Sequence, residues 1–209
     1  NSLPMFHSIT QTNISVSMSD KIMKRILLLI ALSVLPVLAE KYPIYLGTSA
    51  DGIYLANFDS TTGTITQPAL AAKYEKPGFL ALHPEKPILY SIGFGKNVAA
   101  FNIAKDHSLT FINEADSGGA GPCHLVVDLT GRTLAVANYG GGTVSTFRLA
   151  PDGKIEEMAS NIKIQGSGPN PDRQKGPHTH GVYFNKANNL LFAPDLGADE
   201  TLIYKFNSL

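Results

Sequence analysis

The chain has 209 residues, 44% of them hydrophobic, and its 17 basic residues balance 17 acidic ones. With a mean hydropathy near zero it reads as an ordinary globular protein, and without a basic stripe it lacks the electrostatic footprint of a nucleic-acid binder. Its single cysteine, Cys123, excludes an intrachain disulfide and a cysteine-based zinc site, and reads as a small buried hydrophobe at a strand start.

Residues 1–22 are polar and patternless, and read as disordered or as spurious upstream sequence. Met23-Lys24-Arg25, the apolar run Ile26–Leu35 and the small-residue end Pro36-Val37-Leu38-Ala39 have the layout of a secretory signal peptide. The run is short and broken by Pro36, so cleavage after Ala39 is expected, with no stable membrane insertion afterwards. An uncleaved anchor is the alternative. A helix is expected over 23–38, outside the mature fold. The chain starts at Asn1 and stops at Leu209 just after a strand, so it reads as a fragment.

From residue 40 on, short apolar runs alternate with turn-rich linkers. The first unit predicts strands over 44–46, 52–58 and 64–66 and lacks an innermost strand. The second predicts 79–82, 88–92, 98–103 and 109–114. The third predicts 125–127, 134–137, 143–149 and 155–164, with Asp152-Gly153 as a hairpin signal. The last offers 182–184, 191–193 and 202–206. The units divide near 76, 121 and 177.

The units repeat one another. Leu89 recurs 45 residues later at Leu134, and Leu191 follows after 57; Ile44-Tyr45-Leu46 begins a partial copy 45 residues before Leu89. Four-stranded units of 40–50 residues are the signature of a β-propeller. The predicted fold class is therefore all-β, an incomplete propeller of two whole and two partial blades, about half of a closed ring. Blades bury their faces against each other, so such a piece is expected to be unstable alone. The third interval is 12 residues too long, and a long loop on a regular scaffold is where function is to be sought.

That loop reads Gly166-Ser167-Gly168-Pro169-Asn170-Pro171-Asp172-Arg173-Gln174, then Gly176-Pro177-His178-Thr179-His180, followed later by Pro194-Asp195-Leu196-Gly197-Ala198-Asp199. With Pro122-Cys123-His124 and Ala137-Asn138-Tyr139-Gly140, it resembles the lactonase family of seven-bladed propellers, from about Tyr42 to Leu209. That family includes propeller-type 6-phosphogluconolactonase and the fungal carboxymuconate-lactonizing enzyme. The resemblance implies a hydrolase acting on a sugar lactone; no cofactor is expected. The export signal departs from a cytoplasmic phosphosugar substrate.

Lactone hydrolysis needs a base to activate water and a donor for the carbonyl oxygen as it becomes an oxyanion. His180 is the candidate base. Arg173 is the candidate for binding and stabilising developing negative charge, on an anionic group or the oxyanion, since its planar fork suits carboxylate and phosphate oxygens. His178, His124, Asn138, Tyr139 and Asp195 are candidate substrate contacts. Counted from the anchor leucines, Cys123 and His180 are equivalent, each 11 residues before its anchor. His178 and His180 would share a face on a strand but need not on a loop. Structural roles remain open at each position: Asn and Asp favour turns, and His83 and His107 lie in turn-like segments. The His-x-His pair suggests a metal, but no third ligand stands at ligand spacing. Gly140-Gly141-Gly142 lacks the ending of a phosphate loop, and no Gly-x-Ser-x-Gly elbow occurs. Two other functions stay open: a non-catalytic propeller that binds a ligand or protein at its channel mouth, and a muconate-type lactonizing cyclase. Oligomeric state is not legible.

Overall fold

The computed structural model describes residues 40–208; the expected signal peptide, its helix and residues 1–22 lie outside them. The described residues form four antiparallel sheets and no helix. The first sheet holds β1 (Lys41–Leu46), β2 (Gly52–Asp59), β3 (Thr64–Ile65) and β4 (Ala69–Lys73). The second runs in order β5 (Leu80–Leu82), β6 (Ile88–Ile92), β7 (Asn97–Ile103) and β8 (Leu109–Asp116). The third repeats it with β9 (Pro122–Val127), β10 (Thr133–Asn138), β11 (Thr143–Leu149) and β12 (Ile155–Lys163). The fourth holds β13 (Tyr183–Phe184), β14 (Leu190–Asp195) and β15 (Glu200–Lys205).

These sheets are propeller blades because their second strands are apolar on both faces. Along β6, Ile88, Tyr90 and Ile92 pack with Leu125, Leu134, Val136 and Phe147 of the third blade, while Leu89 turns the other way onto Ile53 of the first. In β10, Leu134 and Val136 face the second blade, and Ala135 and Ala137 face Val182, Leu191 and Ala193 of the fourth. Successive side chains on a strand point to opposite faces, so each middle strand serves two interfaces and reads as a continuous apolar run.

Two repeated devices tie the blades together. The hydroxyl of Tyr45 in β1 donates to the carbonyl of His107, at 2.8 Å, in the outer turn of the second blade. Tyr90, 45 positions later, donates in the same way to Gly153 in the outer turn of the third, at 2.9 Å. The turn between first and second strands also has a fixed capping position, at His83, Asp128 and Asn185. His83 Nδ1 accepts from the amides of Glu85 and Lys86. Asp128 accepts from the amides of Thr130, Arg132 and Thr133, and Asn185 Oδ1 from those of Asn189 and Leu190. Two of the three caps reach the next blade as well: His83 Nε2 meets Gly131 O at 3.1 Å, and Asn188 donates to Asp128 at 2.9 Å.

The first sheet departs from the sequence expectation at its rim. The outermost strand is split into β3 and β4, both paired with β2, on either side of Gln67-Pro68. Proline cannot donate to a ladder and is tolerated at an edge. The edge of β1 away from β2 carries no further strand among the described residues.

Candidate functional site

The long loop 164–182 connects β12 to β13 and is built by its own polar side chains. Asn170 Oδ1 accepts from the amides of Asp172 and Arg173, closing a tight turn that follows from Pro169-Asn170-Pro171. Gln174 is buried: its Oε1 accepts from Asn170 N, and its Nε2 donates to Leu196 O and Asp199 Oδ1. The loop is thereby pinned to the β14–β15 hairpin. Gln174 was not legible as a site residue, because an amide advertises no chemistry in sequence.

After the loop the chain runs alongside the end of β14. Thr179 pairs with Asp195, His180 N donates to Pro194 O, and Leu196 N donates to His178 O. The segment is therefore extended, and Thr179 turns inward while its two neighbours turn the other way. Thr179 is fully buried with its hydroxyl on Asp195 Oδ2, His178 is half-buried and His180 exposed. Between the pairs Thr179↔Asp195 and Tyr183↔Phe192 the inner strand spends one more residue than β14 does. The third blade has the same irregularity, where Pro122 and His124 pair with the adjacent residues Asn138 and Ala137. The unpaired extra residue there is Cys123. Bulges of this kind re-aim a side chain beside functional sites. Cys123 lies close against the fourth blade, its sulfur 3.4 Å from Thr179 O, and burial pushes its thiol up to about 11.

Tyr139, just past the end of β10, is the hub of the site. Its ring stacks on His178 at 4.6 Å and meets His180 edge-on at 5.3 Å. Arg173 Nη2 donates to its hydroxyl at 3.3 Å. His178 Nδ1 lies 3.0 Å from Tyr139 O, and a carbonyl only accepts, so this nitrogen carries the proton. Arg173 and His180 line an open cleft of about 610 Å³ with Pro194, Leu196, Asp199 and Glu200.

His124, on the innermost strand of the third blade, is only 9% exposed. Its ring sits between Phe79 of the second blade, at 4.2 Å, and Tyr183 of the fourth, at 4.8 Å. Its basicity is lowered by burial and then by the charge of nearby His180.

The structure thus brings Tyr139, Arg173, His178 and His180 together, with His124 beside them. It engages Asn138 and Asp195 in hydrogen bonds within the fold. Asn138 is fully buried: it accepts from Ser117 Oγ and donates to Ser117 O, Thr143 and Ser145. Asp195 borders the cleft but is 3% exposed, its oxygens taken by His178 N, Ala198 N and Thr179 Oγ1. Buried polar groups must be satisfied, and these two brace the segments that enter their blades. Among the described residues no cluster of His, Cys, Asp or Glu is placed to hold a metal ion.

Residues 43–209 match the family described as lactonase, 7-bladed beta-propeller. The chain is 37% identical to the 6-phosphogluconolactonase of Bacillus subtilis, over 79% of this chain and 49% of that protein. It is 33% identical to the 6-phosphogluconolactonase of Formosa agariphila, over 74% and 45%. Among solved structures, a putative 6-phosphogluconolactonase from Bacteroides fragilis superposes with a TM-score of 0.74 at 29% identity, covering 80% of this chain and 49% of that one. The periplasmic gluconolactonase of Pseudomonas aeruginosa superposes with a TM-score of 0.73 at 26% identity, covering 79% and 50%. The chain spans about half the length of the curated relatives it matches. With the blades, the long loop and these likenesses in agreement, the chain belongs to the lactonase family of seven-bladed β-propellers.

Proposed function

We propose that the protein carrying this chain hydrolyses a sugar lactone, with His180 as the base that activates water. The observation that carries this reading is the convergence of His180 and Arg173 on one open cleft, both held by Tyr139. The water oxygen attacks the lactone carbonyl carbon while His180 takes the water's proton, and the carbonyl π pair moves onto oxygen. When that pair returns, the ring C–O bond breaks, and the departing alkoxide recovers the proton from the His180 imidazolium. The product is the open hydroxy acid. Arg173 supplies a planar cationic fork for an anionic group of the substrate.

The test is hydrolysis of 6-phosphogluconolactone and of gluconolactone, each above its spontaneous rate. Loss of a positioned base costs roughly 100- to 10,000-fold, so His180→Ala is expected to lose about that much on whichever lactone is turned over. An unchanged rate would remove His180 from this role, and no turnover of either lactone would favour a binding propeller.

We also propose export, from the charged, apolar and small-residue succession at 23–39 and the periplasmic setting named for the Pseudomonas relative. Fractionation of cells expressing the protein with and without residues 23–39 checks it. Recovery of both forms from the cytosol would overturn it.

A further inference from the structure

The apolar pocket at the open edge of β1, lined by Pro43, Tyr45, Leu80 and Leu89, lies where the ring architecture itself places a further strand. The Cys123 thiol is half-buried and hydrogen-bonded to carbonyls. His124 is different, because residues of the two neighbouring blades hold its ring, satisfy one ring nitrogen and leave the other without a protein partner.

Val182 N donates to His124 Nδ1 at 3.3 Å, so Nδ1 is the acceptor of the ring. In a neutral imidazole the proton then sits on Nε2. Phe79 and Tyr183 hold the ring between them and stop it from turning over. Nε2 has no protein partner, yet no fully buried polar side-chain atom is left unsatisfied among the described residues, so this nitrogen is not sealed off from solvent. The result is a single N–H, fixed in direction, on the innermost strand of a blade next to the one that carries His180.

We propose that His124 is a catalytic hydrogen-bond donor: its Nε2–H holds the lactone carbonyl oxygen while His180 delivers the water. This rests on the lactonase reading and deepens it by dividing the labour between two histidines. His180, exposed on its bulge, gains and loses the proton. His124, enclosed, stays neutral and donates. A neutral imidazole suits this task because it gives a hydrogen bond without giving up its proton to solvent. Burial and the facing charge of His180 both oppose protonation of His124; the phenol of Tyr183 is the other titratable group on its ring. A donor held in place before the reaction needs no reorganisation during it.

The experiment pairs kinetics with spectroscopy on the protein carrying this chain. His124→Phe keeps an aromatic ring between Phe79 and Tyr183 but removes the donor, and His124→Gln restores an N–H. Loss of one oxyanion donor costs roughly 100- to 1,000-fold in kcat. His124→Phe is expected to fall by about that much with KM nearly unchanged, and His124→Gln to recover part of the loss. Nitrogen-15 NMR of the wild type is expected to show His124 neutral and protonated at Nε2 at pH 7. Full activity in His124→Phe, where His180→Ala is inactive, would overturn the donor and leave the lactonase standing. A proton on Nδ1, or an imidazolium at pH 7, would do the same whatever the kinetics. Absence of turnover on any lactone would remove both.

Discussion

At the level of single residues, the capping position shared by His83, Asp128 and Asn185 separates a structural task from the side chain that performs it. Each presents an acceptor to the amides of the following turn, yet one is an imidazole, one a carboxylate and one an amide. Only the imidazole titrates near neutrality. His83 is buried, and burial, more than the hydrogen bond to Gly131 offsets, lowers its affinity for a proton below the ordinary value of 6.5. A depressed histidine leaves the unfolded chain binding more protons than the fold does. Stability is then complete above pH 6.5 and falls as the pH drops through the folded value. His83→Asn copies the cap used at Asn185 and is expected to flatten that decline; denaturant midpoints of both proteins between pH 7 and 5 would measure it. Equal slopes would show that His83 takes up its proton as readily folded as unfolded. The chemistry at this scale was only partly legible. His83 stood in a turn-like segment with no partner visible, since Gly131 is 48 positions away. Asn138 and Asp195 read as channel groups because they end strands, although Ser117, Thr143, Ser145 and Thr179, the small hydroxyl residues that receive them, were already present in the sequence.

At the level of elements, the strands that face two neighbours were the easiest to read and those at the rim the hardest. The runs Ile88–Ile92 and Leu134–Ala137 carry the apolar content of two interfaces, and their bounds agree with β6 and β10 to within a residue. The strand β4, Ala-Leu-Ala-Ala-Lys, escaped notice because it is half exposed and rich in alanine, a poor strand former whose place is set by pairing with β2. The equivalence of Cys123 and His180 followed from the repeat count alone. The bulge that makes it matter did not, because an extra residue in one strand has no signature until its partner strand is known. The segment bearing the histidines is also shaped from below. Gly197 lies so close to the Gly176 carbonyl that a methyl at that position would overlap it. The hairpin after β14 can therefore approach the loop only with glycine there.

For the whole molecule, stability resides between blades rather than within them. Leu134, Phe147 and Tyr90 are each fully buried, and each belongs to a cluster assembled from two sheets. The tyrosine also brings a polar group into that interface and satisfies it on Gly153. Tyr90→Phe keeps the ring and leaves the Gly153 carbonyl without its donor, a loss of about 1 kcal/mol. The expected readout is a lower denaturant midpoint for the protein carrying this chain, with the slope of the transition unchanged; an unshifted midpoint would show that the hydroxyl contributes nothing. The sequence showed that two tyrosines recur at the repeat distance but not what they reach, since the acceptors lie in the outer turns of other blades. Those contacts have a geometric consequence. A side chain of fixed length, rooted on an inner strand and touching the outer turn next door, acts as a spacer that sets the wedge angle between adjacent sheets. Tyr45 and Tyr90 place this spacer at two successive interfaces, and in a closed ring the wedge angle determines how many wedges complete the circle.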